Sequence, residues 1–187
     1  MDSLPLLRAE DSVLLLIDLQ TRLASSMPSD GWVRARDSAI LLAEAAGELG
    51  LPVIATLQYP KGLGALDPDI EAALPAHAER IEKTCFSACA ADGFAETLDM
   101  CGRRQMVVCG METHVCVVQT VAGLAADGYA PFVVADGVCS RDPAHADNAL
   151  ARMRAAGVPV VNRESALFEW LRDARHERFK ALSKRLK

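Results

Sequence analysis

The 187-residue chain contains no segment that reads as a secretion signal or a membrane span. Its start, Met1 to Arg8, lacks a charged stretch followed by an apolar one. No run approaches the roughly 18 apolar residues that a bilayer crossing requires. A cytoplasmic protein with no membrane partner is therefore expected. Excess positive charge is also missing: net charge is −5, with a pI near 5.4. Nucleic-acid binding through a basic face is not expected, and the single basic stretch, Arg175 to Lys187, reads as a solvated helix face. No CxxC pair and no histidine pair at zinc-ligand spacing occurs, so neither a metal nor another cofactor is expected. The six cysteines (Cys85, Cys89, Cys101, Cys109, Cys116 and Cys139) have no secretory context to oxidise them. They read as reduced thiols, mostly small buried hydrophobes. Repeats, low-complexity segments and linkers are absent, which predicts a single domain over residues 1–187.

What is present is a regular alternation of apolar runs and helical patterns. Hydrophobic residues make up 51% of the chain and charged residues 24%, enough for a substantial core. Val13-Leu-Leu-Leu-Ile17, Val53-Ile-Ala-Thr56, Ile81–Phe86, Gln105-Met-Val-Val-Cys109, Pro131-Phe-Val-Val-Ala135 and Val158-Pro-Val-Val161 read as six strands. Helices are predicted over 34–49, 92–101, 114–127, from Pro143 through Ala156, from Asn162 as cap past Leu171, and over roughly 176–186. Asp142-Pro143 matches an N-cap followed by proline at the first helical position. The stretch 58–80 reads as one long irregular loop, of the kind that often serves as a lid or binding loop. Strands and helices in this order predict a parallel sheet covered on both faces, a three-layer α/β/α Rossmann-like fold.

Ligands of such sheets bind at the carboxyl ends of the strands. Asp18, Gln58, Lys83, the segment 110–116 and Asp136 all fall there. Cys116 lies in the first turn of a predicted helix with Thr113 available as cap. Helix N-termini favour anions, so that location and a nearby Lys83 are expected to lower the thiol pKa. Asp18 is placed to take the thiol proton, and backbone N–H groups of the turn to bind an oxyanion. Other readings of the same residues stay open: Asp18 as a cap or as Lys83's ion-pair partner, Lys83 on the surface, Cys116 in the core, and Cys85 or Cys89 as the reactive thiol. A dyad of Cys116 with His114 is disfavoured, because residues two apart on a helix do not face each other.

Leu16-Ile17-Asp18-Leu19-Gln20, Glu82-Lys83-Thr84 and Gly110-Met111-Glu112-Thr113-His114-Val115-Cys116, in this order and spacing, resemble the signature segments of the isochorismatase-like cysteine hydrolases. Gln58-Tyr-Pro-Lys-Gly-Leu-Gly64, Lys83-Thr-Cys-Phe-Ser87, Gln119-Thr120 and Phe179-Lys180 resemble the isochorismatase domain-containing branch. The resemblance implies strand order 3-2-1-4-5-6. It implies Cys116 as nucleophile, Asp18 as proton acceptor and donor, and Lys83 as electrostatic partner. It also implies a cis peptide bond between Met111 and Glu112 that turns the N–H of Glu112 beside that of Cys116 as an oxyanion hole. Nicotinamidases of similar fold bind a metal through an Asp-x-His pair and a further histidine after strand two. Here Gln58-Tyr59-Pro60 holds that place and the next histidine is His77, so a metal-independent reaction is implied. Enzymes that cleave isochorismate generally lack a cysteine at the position of Cys116, so the family name does not give the substrate. The resulting expectation is a thiol hydrolase acting on a small amide, carbamoyl or related acyl compound. Gln20, Gln58, Tyr59 and Phe86 are its candidate substrate-binding residues, with Trp32 as a further wall, and it is expected to be a homo-oligomer (dimer, tetramer or larger). The alternatives are an inactive oligomeric binding or scaffold protein of the same fold and, less favoured, a redox-active thiol protein.

Overall fold

In the computed structural model, which describes residues 4–186, six parallel strands form one sheet in the order β3-β2-β1-β4-β5-β6. Met1 to Ser3 and Lys187, which entered the reading of the two termini, lie outside the described residues. The strands are β1 (Ser12–Ile17), β2 (Val53–Gln58), β3 (Glu79–Lys83), β4 (Gln105–Met111), β5 (Ala130–Cys139) and β6 (Val160–Val161). The fold class and strand order match the expectation.

All six residues of β1 are buried, as its unbroken apolar run requires of a central parallel strand. Successive side chains alternate between faces. Leu14 and Leu16 join one core with Val53, Ala55, Val107, Phe132 and Val134. Val13, Leu15 and Ile17 join the other with Ile54, Met106, Val108 and Val133. Each wholly buried side chain of this size contributes about 2 kcal/mol of hydrophobic stabilisation. Helices α2 (Ser29–Leu49), α4 (Pro68–Ala73), α8 (Arg163–Leu171) and α9 (Phe179–Ser183) cover the first face. Helices α5 (Phe94–Cys101), α6 (Val118–Ala126) and α7 (Pro143–Ala155) cover the second. Two single-turn helices, α1 (Thr21–Ala24) and α3 (Pro60–Leu63), lie near the carboxyl edge. Among the described residues no helix is long and apolar enough to cross a membrane.

Several boundaries differ from the sequence reading. The 58–80 stretch is not one irregular loop: it holds α3 and α4, and Asp67 caps α4 by accepting from the N–H groups of Asp69 and Ile70. Strand β3 begins at Glu79 and ends at Lys83, so Thr84 to Phe86 lie beyond it. Strand β5 runs through Asp136 rather than ending there. The Asp136 carboxylate accepts from the N–H of Arg163 at 2.8 Å, so Asp136 serves the start of α8, and the Asn162 side chain makes no cap. The basic tail is not simply a solvated face: Arg185 reaches α2, pairing with Glu44 and, at 2.6 Å, with Glu48.

Candidate active site

Because all strands run the same way, the residues ending β1, β2, β3 and β4 meet at one edge. Asp18 follows β1 in a left-handed conformation (φ 53°), which a non-glycine residue adopts at some cost. It is wholly buried. Lys83 ends β3, and its side chain is also fully out of water. Its Nζ donates to Asp18 Oδ2 at 2.6 Å and Gln58 Oε1 at 2.7 Å, and faces the carbonyls of Phe86 at 3.2 Å and Cys85 at 3.3 Å. Thr56 Oγ1 donates to Asp18 Oδ1 at 2.6 Å. A buried ion pair repays its desolvation only when such further hydrogen bonds satisfy it, and removing one partner typically costs about 3–5 kcal/mol.

Cys116 completes the cluster. It is 5% exposed, and its thiol is close enough to interact with both Asp18 and Lys83. The expected lowering of its pKa is reversed. Burial, reinforced by the charge of Asp18, pushes the thiol up to about 12 against the opposing pull of Lys83. The physical reason is that the ammonium is already neutralised by Asp18, while the sulfur sits in an apolar layer with Val117 and Val121. Burial and the neighbouring Asp18 thus favour the thiol form of Cys116 over the thiolate.

The peptide bond Met111–Glu112 is cis. Thr113 to Val117 form a π-turn leading into α6, a wider winding that is frequent at functional sites. Its hydrogen-bond ladder skips a residue: the N–H groups of Val115 and Val117 both go to the Glu112 carbonyl, at 3.0 and 3.2 Å, and that of Cys116 does not. The N–H of Glu112 makes no hydrogen bond to protein among the described residues. Thr113 is not a cap: its Oγ1 is buried without a partner. The Glu112 carboxylate is held by the backbone N–H and guanidinium of Arg141 at 2.6–3.1 Å. Burial works to raise the Glu112 pKa, and the Arg141 hydrogen bonds outweigh it and lower it. Gly110 precedes this turn because β4 presses on β1 there. A Cβ at Gly110 would lie 2.3 Å from the Ile17 carbonyl oxygen.

The other candidates sort by geometry. Gln20 is wholly buried. Its Nε2 donates to the carbonyls of Gln58 and Gly64, and its Oε1 accepts from the N–H of Gln58. With every polar group spent on backbone, Gln20 braces the edge and has nothing left for a substrate. Gln58 is bonded to Lys83 and to the carbonyl of Thr84. Tyr59 and Phe86 are each 54% exposed beside the cluster, in reach of an incoming molecule. Trp32 is half-buried and packs against the core beneath the sheet. His114 faces Ser140, with Nδ1 3.0 Å from its Oγ, and its ring lies against that of His145. His77 contacts the Leu51 carbonyl near the opposite end of β2. Cys85 and Cys89 are part-buried outside the cluster, and only the carbonyl of Cys85 meets Lys83. Among the described residues no three His, Cys, Asp or Glu side chains gather as a metal-ligand set. A cavity of about 530 Å³ opens on the β3 flank, lined by Tyr59, Lys61, Lys83, Cys85 and Asp92 among others. Neither Asp18 nor Cys116 lines it, so the cavity lies beside the Asp18–Lys83 pair rather than on it.

Thr56 is the residue of this cluster that the sequence reading passed over. Within an apolar strand its hydroxyl gives no separate signal.

Comparison with known proteins agrees with this architecture. A model of the isochorismatase domain matches residues 12–165. Isochorismatase domain-containing protein 2 of Xenopus laevis is 36% identical over 176 residues, covering 92% of this chain and 82% of that protein. The structure of MAR1 ribonuclease from Caenorhabditis elegans superposes with a TM-score of 0.91 at 30% identity, covering 97% of this chain and 92% of that one. YcaC from Pseudomonas aeruginosa, solved with hexane-2,5-diol and covalent acrylamide, superposes with a TM-score of 0.91 at 27% identity, covering 99% and 93%. With a family model spanning most of its length and a relative above one-third identity along nearly all of it, the chain belongs to the isochorismatase family.

Proposed function

We propose that the protein is a metal-independent cysteine hydrolase that cleaves a small amide, carbamoyl or related acyl compound through a thioester on Cys116. The observation that carries the reading is the buried Asp18 carboxylate, held by Thr56 and Lys83 and set beside a protonated Cys116 thiol. A neutral thiol needs a base, and Asp18 is the base at hand. As sulfur attacks the carbonyl carbon, Asp18 takes the thiol proton and the oxyanion forms against the N–H groups of Glu112 and Cys116. Preorganised donors of this kind are worth about 10²–10³ in rate each. The C–N bond then breaks and Asp18 hands its proton to the leaving amine. Water attacks the thioester, giving a proton to Asp18; the C–S bond breaks and the proton returns to sulfur. Lys83, with its protons directed at Asp18, Gln58 and two carbonyls, acts through its charge.

The experiment is a panel of small amides, carbamoyl compounds and RNA offered to wild type and to Cys116→Ala. Acyl hydrolysis by wild type that disappears in the variant supports the proposal. Turnover unchanged in Cys116→Ala refutes the thioester route. RNA cleavage alone would transfer to this chain the activity named for its nematode relative. No turnover, together with an unreactive Cys116, would leave the inactive binding protein. The homo-oligomer expected from the sequence belongs to the same reading, and sedimentation velocity checks it.

A further inference from the structure

Strand β2 lies between the strand that carries the acid and the strand that carries the amine. Thr56 and Gln58, two residues apart on β2, share one face of the sheet. One reaches each way: Thr56 Oγ1 donates to Asp18 Oδ1 at 2.6 Å, and Gln58 Oε1 accepts from Lys83 Nζ at 2.7 Å. Thr56 holds residue 18 twice, because its carbonyl also accepts the N–H of Asp18 at 3.2 Å. Gln58 is itself anchored, its Nε2 donating to the Thr84 carbonyl at 2.8 Å. That bond leaves its oxygen, not its amide nitrogen, toward the ammonium.

We infer that Thr56 and Gln58 are positioning residues: Thr56 fixes the plane of the Asp18 carboxylate so that a lone pair faces the Cys116 sulfur, and Gln58 fixes Lys83 against that carboxylate. The inference rests on Asp18 being the base for Cys116. With Oδ1 tied to the Thr56 hydroxyl and Oδ2 to Lys83, the carboxylate cannot rotate without breaking both bonds. Both oxygens keep further acceptor capacity for the thiol proton. Thr56 is wholly buried, so no water replaces its hydroxyl when it is removed. The same strand therefore sets the spacing of acid and amine and the orientation of each.

The test uses Thr56→Val, which keeps the shape and loses the hydroxyl, and Thr56→Ser, which keeps the hydroxyl. Two rates are read: kcat and KM for Cys116-dependent hydrolysis, and the rate of Cys116 alkylation by iodoacetamide at neutral pH, scored by mass spectrometry. A hydrogen bond to a charged group corresponds to roughly a ten- to hundredfold effect. Thr56→Val is expected to lower both kcat and the alkylation rate by about that factor with KM nearly unchanged, and Thr56→Ser to restore them to within about threefold. Gln58→Leu is expected to lower the same two rates. If Thr56→Val does not fold, Thr56→Ala against Thr56→Ser carries the comparison, since both lack the γ-methyl and only serine has the hydroxyl. Equal kcat and equal alkylation rates with and without the hydroxyl would overturn the inference. The alkylation rate needs no substrate. If wild type hydrolyses nothing, the proposed function fails, and a hydroxyl-dependent alkylation rate still upholds the positioning role.

Discussion

Gly110→Ala places a methyl group where two central strands touch. The added Cβ would meet the Ile17 carbonyl oxygen at 2.3 Å, its Cβ at 2.6 Å and its Cα at 2.8 Å. These are backbone and near-backbone atoms with no rotamer to escape into, so β1 and β4 must part locally by about 1 Å. The backbone at Gly110 also has φ 145°, which side chains other than glycine's rarely adopt. Overpacking costs about 1–3 kcal/mol and the dihedral another 1–2 or so, giving a loss of about 2–5 kcal/mol. For a chain of this size each kcal/mol is worth about 2–4 °C, so the melting temperature is expected to fall by about 4–20 °C. Ile17 immediately precedes Asp18, and a displacement of about 1 Å in the base costs around a hundredfold in kcat. Gly128→Ala is the control: it shares a positive φ of 82° with nothing within 4 Å of the new Cβ, and is expected to lose only about 1 kcal/mol. Thermal melts of the two variants, with turnover measured in parallel, check the reasoning. Gly110→Ala melting within a few degrees of Gly128→Ala and retaining wild-type turnover would refute it.

Three further outcomes follow from other buried groups. Arg141→Ala strips the guanidinium from the buried Glu112 carboxylate while leaving the backbone N–H bond; because Arg141 is largely in water, the loss is expected to be about 1–2 kcal/mol, read by urea denaturation, with a fall in kcat as the peptide after Met111 loosens. Glu112 is held below its ordinary value of 4.5, so its contribution is present above that pH and lost as pH falls further. Acid titration of stability should show that loss in wild type and a smaller one in Arg141→Ala. At the other end of the scale, burial pushes Cys139 from 9.0 up to about 12, and raises Cys109 as well. The folded state keeps these protons where the unfolded state releases them. Stability should therefore hold to about pH 9 and then fall by up to about 1.4 kcal/mol per pH unit per thiol. Urea midpoints from pH 8 to 11 measure this, and Cys139→Ala should flatten the slope.

How far the sequence revealed the molecule depended on whether a signal was local. The unbroken apolar run of β1 announces a central strand by itself. Asp142-Pro143 announces a helix start, and the Asp142 carboxylate does cap α7. The same dipeptide at Asp67-Pro68 starts α4, but six residues show no periodicity, so the pair read as a turn. Strand β3 was displaced because its sequence, Glu-Arg-Ile-Glu-Lys, is that of a charged edge strand, which needs little apolar surface. Beyond the end of that strand the chain turns back so that the carbonyls of Cys85 and Phe86 face Lys83 Nζ, a tertiary contact with no local signal. The meeting of Asp18 and Lys83 at one edge followed from strand ends alone. The state of the thiol did not, because it is decided by burial between sheet and helices, which is a tertiary quantity. Gln20 looks like a substrate ligand in sequence, and only coordinates show that both its amide N–H groups and its oxygen are bonded to backbone; Gln58 keeps one amide N–H beyond its bond to Thr84.

The proposed thioester route requires a covalent acyl group on the Cys116 sulfur. Wild-type protein mixed with a hydrolysed amide, quenched in acid during turnover and digested should yield the peptide containing Cys116 heavier by the mass of the acyl group, and Cys116→Ser should yield no thioester. Turnover with no adduct on Cys116 at any quench time, or an adduct on Cys85 or Cys89 instead, would contradict it.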